Sequence, residues 1–292
     1  LFVLDALTGA LIDDIKTAAG DTTTPSGLGK LSAWTQEGLK NNTSDRVYGG
    51  DLLGNVWRFD INDKYGDAGT DAFQLATLAI GATPQPITTR LEVGDFDNKP
   101  LIYAGTGILL GRNDALNTSL QSLYAIYDKL DKDGVGNPRT NATCPFVEQK
   151  ISSLSVVSRT ITKNPVDLNS NCGWYMDFEL SKGERVNVDM ILQLGVLSVV
   201  TNVPEVSACT AGGTSWIYFI NAETGGRIDE IAGQYIGNSL TVGQVVYRLP
   251  DGKVVSTVTT ADDRQLTRET PEPPGGGSGG GTRVYWRELF NR

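Results

Sequence analysis

One element recurs along the chain and limits what it can fold into. An apolar strand ends in Asp or Asn, and an x-x-Thr-Gly turn leads into the next strand. Leu1-Phe2-Val3-Leu4-Asp5-Ala6-Leu7-Thr8-Gly9 is one copy, and Trp216-Ile217-Tyr218-Phe219-Ile220-Asn221-Ala222-Glu223-Thr224-Gly225 is another. Asx side chains accept hydrogen bonds from nearby backbone amides, and glycine supplies left-handed backbone, so the pattern specifies a tight turn between strands. Val56-Trp57-Arg58-Phe59, Leu101-Ile102-Tyr103, Leu123-Tyr124-Ala125-Ile126-Tyr127 and Val245-Val246-Tyr247-Arg248-Leu249 are further β-branched and aromatic runs, most bounded by Gly, Asp or Asn. Gly54-Asn55 reads as a two-residue hairpin turn, and Leu249-Pro250-Asp251-Gly252-Lys253-Val254 as another hairpin. No long 3.6-residue period competes. The helix candidates, Leu7 to Thr17 and Asn113 to Ser122, are weakly punctuated or short.

Degenerate hairpin repeats predict an all-β chain of radial architecture, a modified β-propeller, with a generic β-sandwich as the alternative. The Asp/Asn-x-x-Thr-Gly turn resembles the blades of quinoprotein-like propellers. Spacing is irregular, so the blades carry long inter-strand insertions, with Lys129 to Val166 and Glu179 to Val188 as candidates. The opening Leu1-Phe2-Val3-Leu4-Asp5 reads as the middle of a strand, so an incomplete propeller lacking an N-terminal part is expected. Residues 271–281, rich in Pro and Gly, have the composition of a flexible loop, and a closing strand is expected over 282–290, all within one domain spanning 1–292.

The chain contains no histidine, which removes Ser-His-Asp and Cys-His hydrolase arrangements, imidazole zinc sites and histidine switching near neutrality. Lys plus Arg number 25 against 34 Asp plus Glu, a formal charge of −9, so a phosphate backbone would meet net repulsion and nucleic acid is not an expected partner. No run approaches a membrane span; Met190 to Val200 is interrupted by Gln193 and Gly195 and reads as strand. Three cysteines, Cys144, Cys172 and Cys209, allow one pair and a leftover, and a pair implies an oxidising compartment. Cys144 and Cys172 flank one insertion that a bridge would staple; Cys172 with Cys209 is the alternative.

Arg46-Val47-Tyr48-Gly49-Gly50-Asp51-Leu52-Leu53-Gly54-Asn55-Val56-Trp57-Arg58-Phe59-Asp60 resembles the signature hairpin of the PilY/PilC proteins of type IV pili. Gly105-Thr106-Gly107, Leu123 to Asp128, Gly173-Trp174-Tyr175-Met176-Asp177, Gly183-Glu184-Arg185-Val186, Thr201-Asn202-Val203-Pro204, Cys209 to Trp216 and Tyr285-Trp286-Arg287-Glu288-Leu289 follow in the order that family shows in its C-terminal domain. The resemblance covers essentially the whole chain. It implies a non-enzymatic, exported propeller domain at the pilus tip, outer membrane or cell surface of a Gram-negative bacterium. Such a domain supports pilus extension and attachment, with minor pilins, a host or abiotic surface, and the N-terminal part of the same protein as partners. The alternatives are a quinone-cofactor dehydrogenase-like propeller and a scaffold propeller of outer-membrane assembly.

The resemblance also implies a calcium loop immediately before the Tyr48 hairpin. Glu37, Asn41, the Thr43 carbonyl and Asp45 are the candidate ligands, but Leu39 stands at a ligand position and Lys40 adds positive charge. A metal-free turn is therefore the favoured reading, and no cofactor is expected. Asp131-Lys132-Asp133-Gly134-Val135-Gly136-Asn137 resembles part of an EF-hand loop, but Lys129 and Thr140 stand at ligand positions, so it reads as a solvated loop, and Asp95-Phe96-Asp97-Asn98 reads the same way. Asp51, Asp60 and Asp128 are expected to close turns, and Trp57, Trp174, Trp216 and Trp286 to pack between blades.

Overall fold

The short apolar runs become strands in a computed structural model of the chain, which describes residues 1–36, 38, 40, 43–61, 72–206 and 211–272. β1 (Phe2–Leu4) and β2 (Leu11–Asp14) form a hairpin. β3 (Leu31–Trp34), β4 (Arg46–Gly50), β5 (Asn55–Asp60) and β6 (Ala72–Thr77) form a four-stranded antiparallel meander, the first blade. A small ladder of β7 (Ala79–Ile80) and β8 (Thr83–Pro84) leads to β9 (Glu92–Phe96), β10 (Lys99–Gly105) and β11 (Ser122–Tyr127) of the second blade. The chain then makes a long excursion that contributes β12 (Phe146–Gln149), β13 (Ile151–Ser155) and β14 (Ser158–Ile161), and returns to the second blade as β15 (Gly173–Asp177). β16 (Ile191–Gln193), β17 (Val196–Val206), β18 (Ala211–Asn221) and β19 (Gly233–Gly237) make the third blade. β20 (Thr241–Arg248), β21 (Val254–Thr260) and β22 (Gln265–Glu269) make the fourth.

The first strands of successive blades touch in turn, β3 with β9, β9 with β16 and β16 with β20, which places them nearest the common axis. The four sheets are thus arranged as propeller blades, as the repeats predict. Sequence alternation decides which neighbour each residue meets. Ile102, Ala104, Tyr124 and Ile126 face the first blade, while Leu101, Tyr103, Leu123, Ala125 and Tyr127 face the third. A strand buried on both faces has no polar side, which is why β11 reads as an unbroken apolar run. A third cluster, including Val200, Ile217, Phe219 and Val258, fills the junction of the third and fourth blades.

Three local expectations are corrected. The segment from Leu7 to Thr17 is a turn followed by β2, because its Asp5-Thr8-Gly9 punctuation favours the hairpin. Asn113 to Ser122 contains one 3-10 turn, Arg112–Leu116, and then re-enters the sheet as β11. The β4–β5 connection is the four residues Asp51 to Gly54, with Asn55 already in β5, because Asp51 captures the Leu53 and Asn55 amides. Gly54 has φ of +80°, and a Cβ there would run into the backbone of Leu78 and Gln85. Residues 273–281 of the Gly-rich segment and the expected strand over 282–290 lie outside the described residues.

Candidate functional site

Of the four candidate calcium ligands, Glu37 and Asn41 lie outside the described residues. Asp45 is at the foot of β4, and its Oδ2 accepts the Gln36 amide at 2.8 Å, so one carboxylate oxygen already closes a turn. Thr43 precedes it in the same connection between β3 and β4. Among the described residues no three carboxylate or thiol groups gather in a metal-binding cluster. In the other acidic turns, Asp131 accepts the Asp133 amide at 3.1 Å and Asp95 accepts the Asn98 amide at 3.1 Å. Asp97 and Asn98 take φ of 51° and 57°, the left-handed pair of a tight hairpin.

The repeated Asx element takes the same form at Asp5 and at Asn221. Asp5 Oδ1 accepts the Leu7 and Thr8 amides at 3.0 and 2.7 Å, and Asn221 Oδ1 accepts those of Glu223 and Thr224 at 3.0 Å. Asp51 is the buried version. Its carboxylate accepts the Leu53 and Asn55 amides, Asn55 Nδ2 and Trp57 Nε1, each at 2.9 Å. Its own carbonyl accepts the Ile87 amide from the connection to the second blade at 2.9 Å. The equivalent stitch at the next junction is Val186 N–H to Thr106 O at 3.0 Å, over Gly105, where a Cβ would stand 2.5 Å from Val186 Cγ1. At the last junction Asn202 does both jobs, accepting the Thr241 amide at 2.8 Å and donating Nδ2 to the Thr241 carbonyl at 2.9 Å.

Two buried ionic networks lock the junctions, and sequence reasoning did not find them. Between the first and second blades, Arg46 and Arg58 both pair with Asp60, while Arg58 Nη1 reaches Asp128 at 2.9 Å and Tyr48 donates to Asp128 at 2.8 Å. All five residues are at most 2% exposed. Burial pushes the Asp60 carboxyl above its ordinary range, with both guanidiniums opposing that rise. Burial also disfavours the Arg58 charge, but Asp128 and Asp60 outweigh it and hold the guanidinium protonated. The Tyr48 phenol is raised well above its usual range, first by burial and then by Asp128.

At the edge of the third blade, Arg159 Nη1 donates to both Glu184 oxygens at 2.8 Å and stacks 3.7 Å over the Trp216 ring. Tyr218 and Thr201 also donate to Glu184, at 2.8 and 2.7 Å. Each oxygen of these acids has a hydrogen-bond or ion-pair partner, so their chemistry is that of fixed charge holding elements in register. The neighbouring Arg185, 2% exposed, instead caps backbone: its guanidinium donates to the carbonyls of Gly183, Ile108, Asp114 and Asn117, fixing the long β10–β11 loop over the third blade.

The excursion from 128 to 172 joins two blades. β12 lies parallel to β15 at the outer edge of the second sheet, and β14 with β13 extends the third sheet beyond β19. Cys144 and Cys172 form a disulfide that closes this excursion; Cys209 lies outside the described residues. Arg139, also in the excursion, pairs with Asp177 and stacks 4.6 Å from the Tyr175 ring. Trp174 and Trp216 sit in the cluster between the second and third blades; Trp57 instead packs toward the β1–β2 hairpin with Phe59 and Ile15, and Trp286 lies outside the described residues.

No protein-family model matches the chain. A type IV pilus biogenesis factor PilY1 homolog of Xylella fastidiosa is 32% identical over 253 residues, which is 77% of this chain and 17% of that protein. The type IV pilus biogenesis factor PilY1 of Pseudomonas aeruginosa is 28% identical over 274 residues, 78% of this chain and 23% of its own. The chain therefore spans about a fifth of the length of these relatives. The crystal structure of the Pseudomonas aeruginosa PilY1 C-terminal domain shares the fold, with a TM-score of 0.69 and 21% identity over 92% of this chain and 66% of that one. With the ordered motifs, the matching sequences and the shared blade architecture in place, the chain belongs to the PilY1 family and corresponds to its C-terminal domain.

Proposed function

We propose that the chain is a non-enzymatic part of a type IV pilus biogenesis factor, exported and placed at the pilus tip or outer surface. There it supports pilus extension and attachment to a host or abiotic surface, with minor pilins as its partners on the pilus side. The relatives named as pilus biogenesis factors, together with the PilY1 C-terminal fold, carry this reading. The junction chemistry agrees with it. A domain that transmits or resists force gains from blades cross-linked by buried ion pairs, shared edge strands and a disulfide, and all three are present here.

Deleting this segment from the host protein, with surface pili and surface attachment scored separately, tests the proposal. Loss of pili together with attachment supports a biogenesis role, and loss of attachment alone supports an adhesive one. Wild-type levels of both would refute it.

A further inference from the structure

A cleft of about 290 Å³ opens where the turn before β19 approaches the ends of β21 and β22, between the third and fourth blades. Its apolar lining includes Phe219 and Val254, both buried, and Ile231, 47% exposed. Its walls are acidic. Asp229, Glu269 and Glu272 face one cation, Lys253, so three carboxylates and one ammonium leave a net charge of −2. Lys253 lies 3.1 Å from Glu269, and Asp229 and Glu272 have no ion-pair partner among the described residues.

Thr270 gives the second, independent sign. It lines the same cleft, is 6% exposed, and its Oγ1 has no hydrogen-bond partner among the described residues. Buried hydroxyls are nearly always paired, so an unpaired one beside a cleft marks a position where an incoming group completes the bonding. A divalent ion is the wrong occupant, because it needs oxygens converging on one point, and no such cluster exists among the described residues. Acids spread along a cleft whose lining also includes the apolar Phe219, Val254 and Ile231 suit an elongated cation with an aliphatic stem, the build of a lysine or arginine side chain.

We propose that this cleft receives a lysine or arginine side chain of a partner polypeptide. The stem lies along Phe219, Val254 and Ile231, and the charged head sits between Asp229 and Glu272 within reach of Thr270. The test is NMR titration of the isotope-labelled full chain with the Nα-acetyl methylamides of lysine, arginine and norleucine, and with 1,5-diaminopentane.

Saturable shifts at Ile231 and Thr270 are expected with the lysine or arginine amide and not with norleucine. Affinity should fall about fivefold in the exposed double variant D229N/E272Q and again in 0.5 M NaCl. Thr270→Val should weaken binding without disturbing resonances elsewhere. The proposal is overturned if neither cationic amide gives saturable shifts, if norleucine amide binds equally, or if D229N/E272Q binds as the parent does. Tighter binding of the free diamine than of either amide would also overturn it, by reassigning the cleft to small amines.

Discussion

The disulfide between Cys144 and Cys172 closes a 28-residue separation around the excursion that feeds strands to two blades. Replacing both cysteines by serine returns the lost freedom to the unfolded chain. Loop-closure entropy for a ring of this size is worth about 3.6 kcal/mol at 25 °C. A chain of 292 residues unfolds with an entropy of roughly 0.6 kcal/mol/K. The C144S/C172S variant should therefore melt about 6 °C below the parent by calorimetry. Chemical reduction of the parent should lower the melting temperature by a similar amount, which separates the covalent link from the effect of the serine side chains.

Hydrogen exchange adds the location. β12, β13 and β14 should lose protection first, because their ends are tied down by this bond and by Arg139 pairing with Asp177. β4 and β5, in the first blade, should keep theirs. A melting temperature within about 1 °C of the parent in both arms, with protection of β12 to β14 unchanged, would show that the excursion is held by strand pairing alone and would refute the reasoning.

Asp51→Ala strands four donors, two of them backbone amides, and should cost about 4 kcal/mol by denaturant unfolding. The same change at the exposed Asp5 should leave the midpoint almost unmoved, and equal effects at the two sites would contradict the role given to burial. Asp262 accepts Thr260 Oγ1 at 2.5 Å and Arg264 Nε at 2.7 Å, and these bonds, the Thr260 one foremost, lower its carboxyl from the usual 3.8 to about 2. Its contribution to stability is thus fully present above about pH 4 and disappears as pH falls through about 2. A carboxyl titration by NMR with a midpoint near 4 would contradict it. Calcium at sub-millimolar concentration should leave the melting temperature unchanged, since Leu39 and Lys40 weaken the loop of Glu37, Asn41, Thr43 and Asp45. A rise of several degrees would reverse that reading.

The blades were legible in the sequence because their signals are local. An Asx residue four positions before glycine sets the turn at Asp5 and Asn221, and both turns form as written. The apolar runs of β10 and β11 require burial on two faces, which only a stack of sheets provides. The excursion was not legible in the same way. β12 pairs in parallel with β15, Phe146 opposite Gly173, and β13 with β14 joins a different sheet altogether. Parallel partners far apart in sequence leave no turn between them to read, and Ile151-Ser152-Ser153-Leu154-Ser155 is too polar to announce an edge strand.

The buried arginines expose a different limit. Arg58 stands inside Val56-Trp57-Arg58-Phe59, and burial of both faces of that strand leaves no water for its guanidinium. Such a cation must find carboxylates within the fold, or its desolvation goes uncompensated. The sequence holds the right acids at the blade ends, Asp60 and Asp128, but a reading of each as a turn residue hides the second duty. Asp128 performs both: Oδ1 accepts the Leu130 amide at 2.8 Å and Arg58 at 2.9 Å, while Oδ2 takes the Tyr48 hydroxyl. Turn closure at the end of one blade and charge neutralisation inside its neighbour therefore fall on one side chain. It follows that Asp128→Asn, which retains an acceptor for the turn, should still weaken the first junction, seen as a lowered denaturant midpoint, because Asp60 alone is left to balance both Arg46 and Arg58.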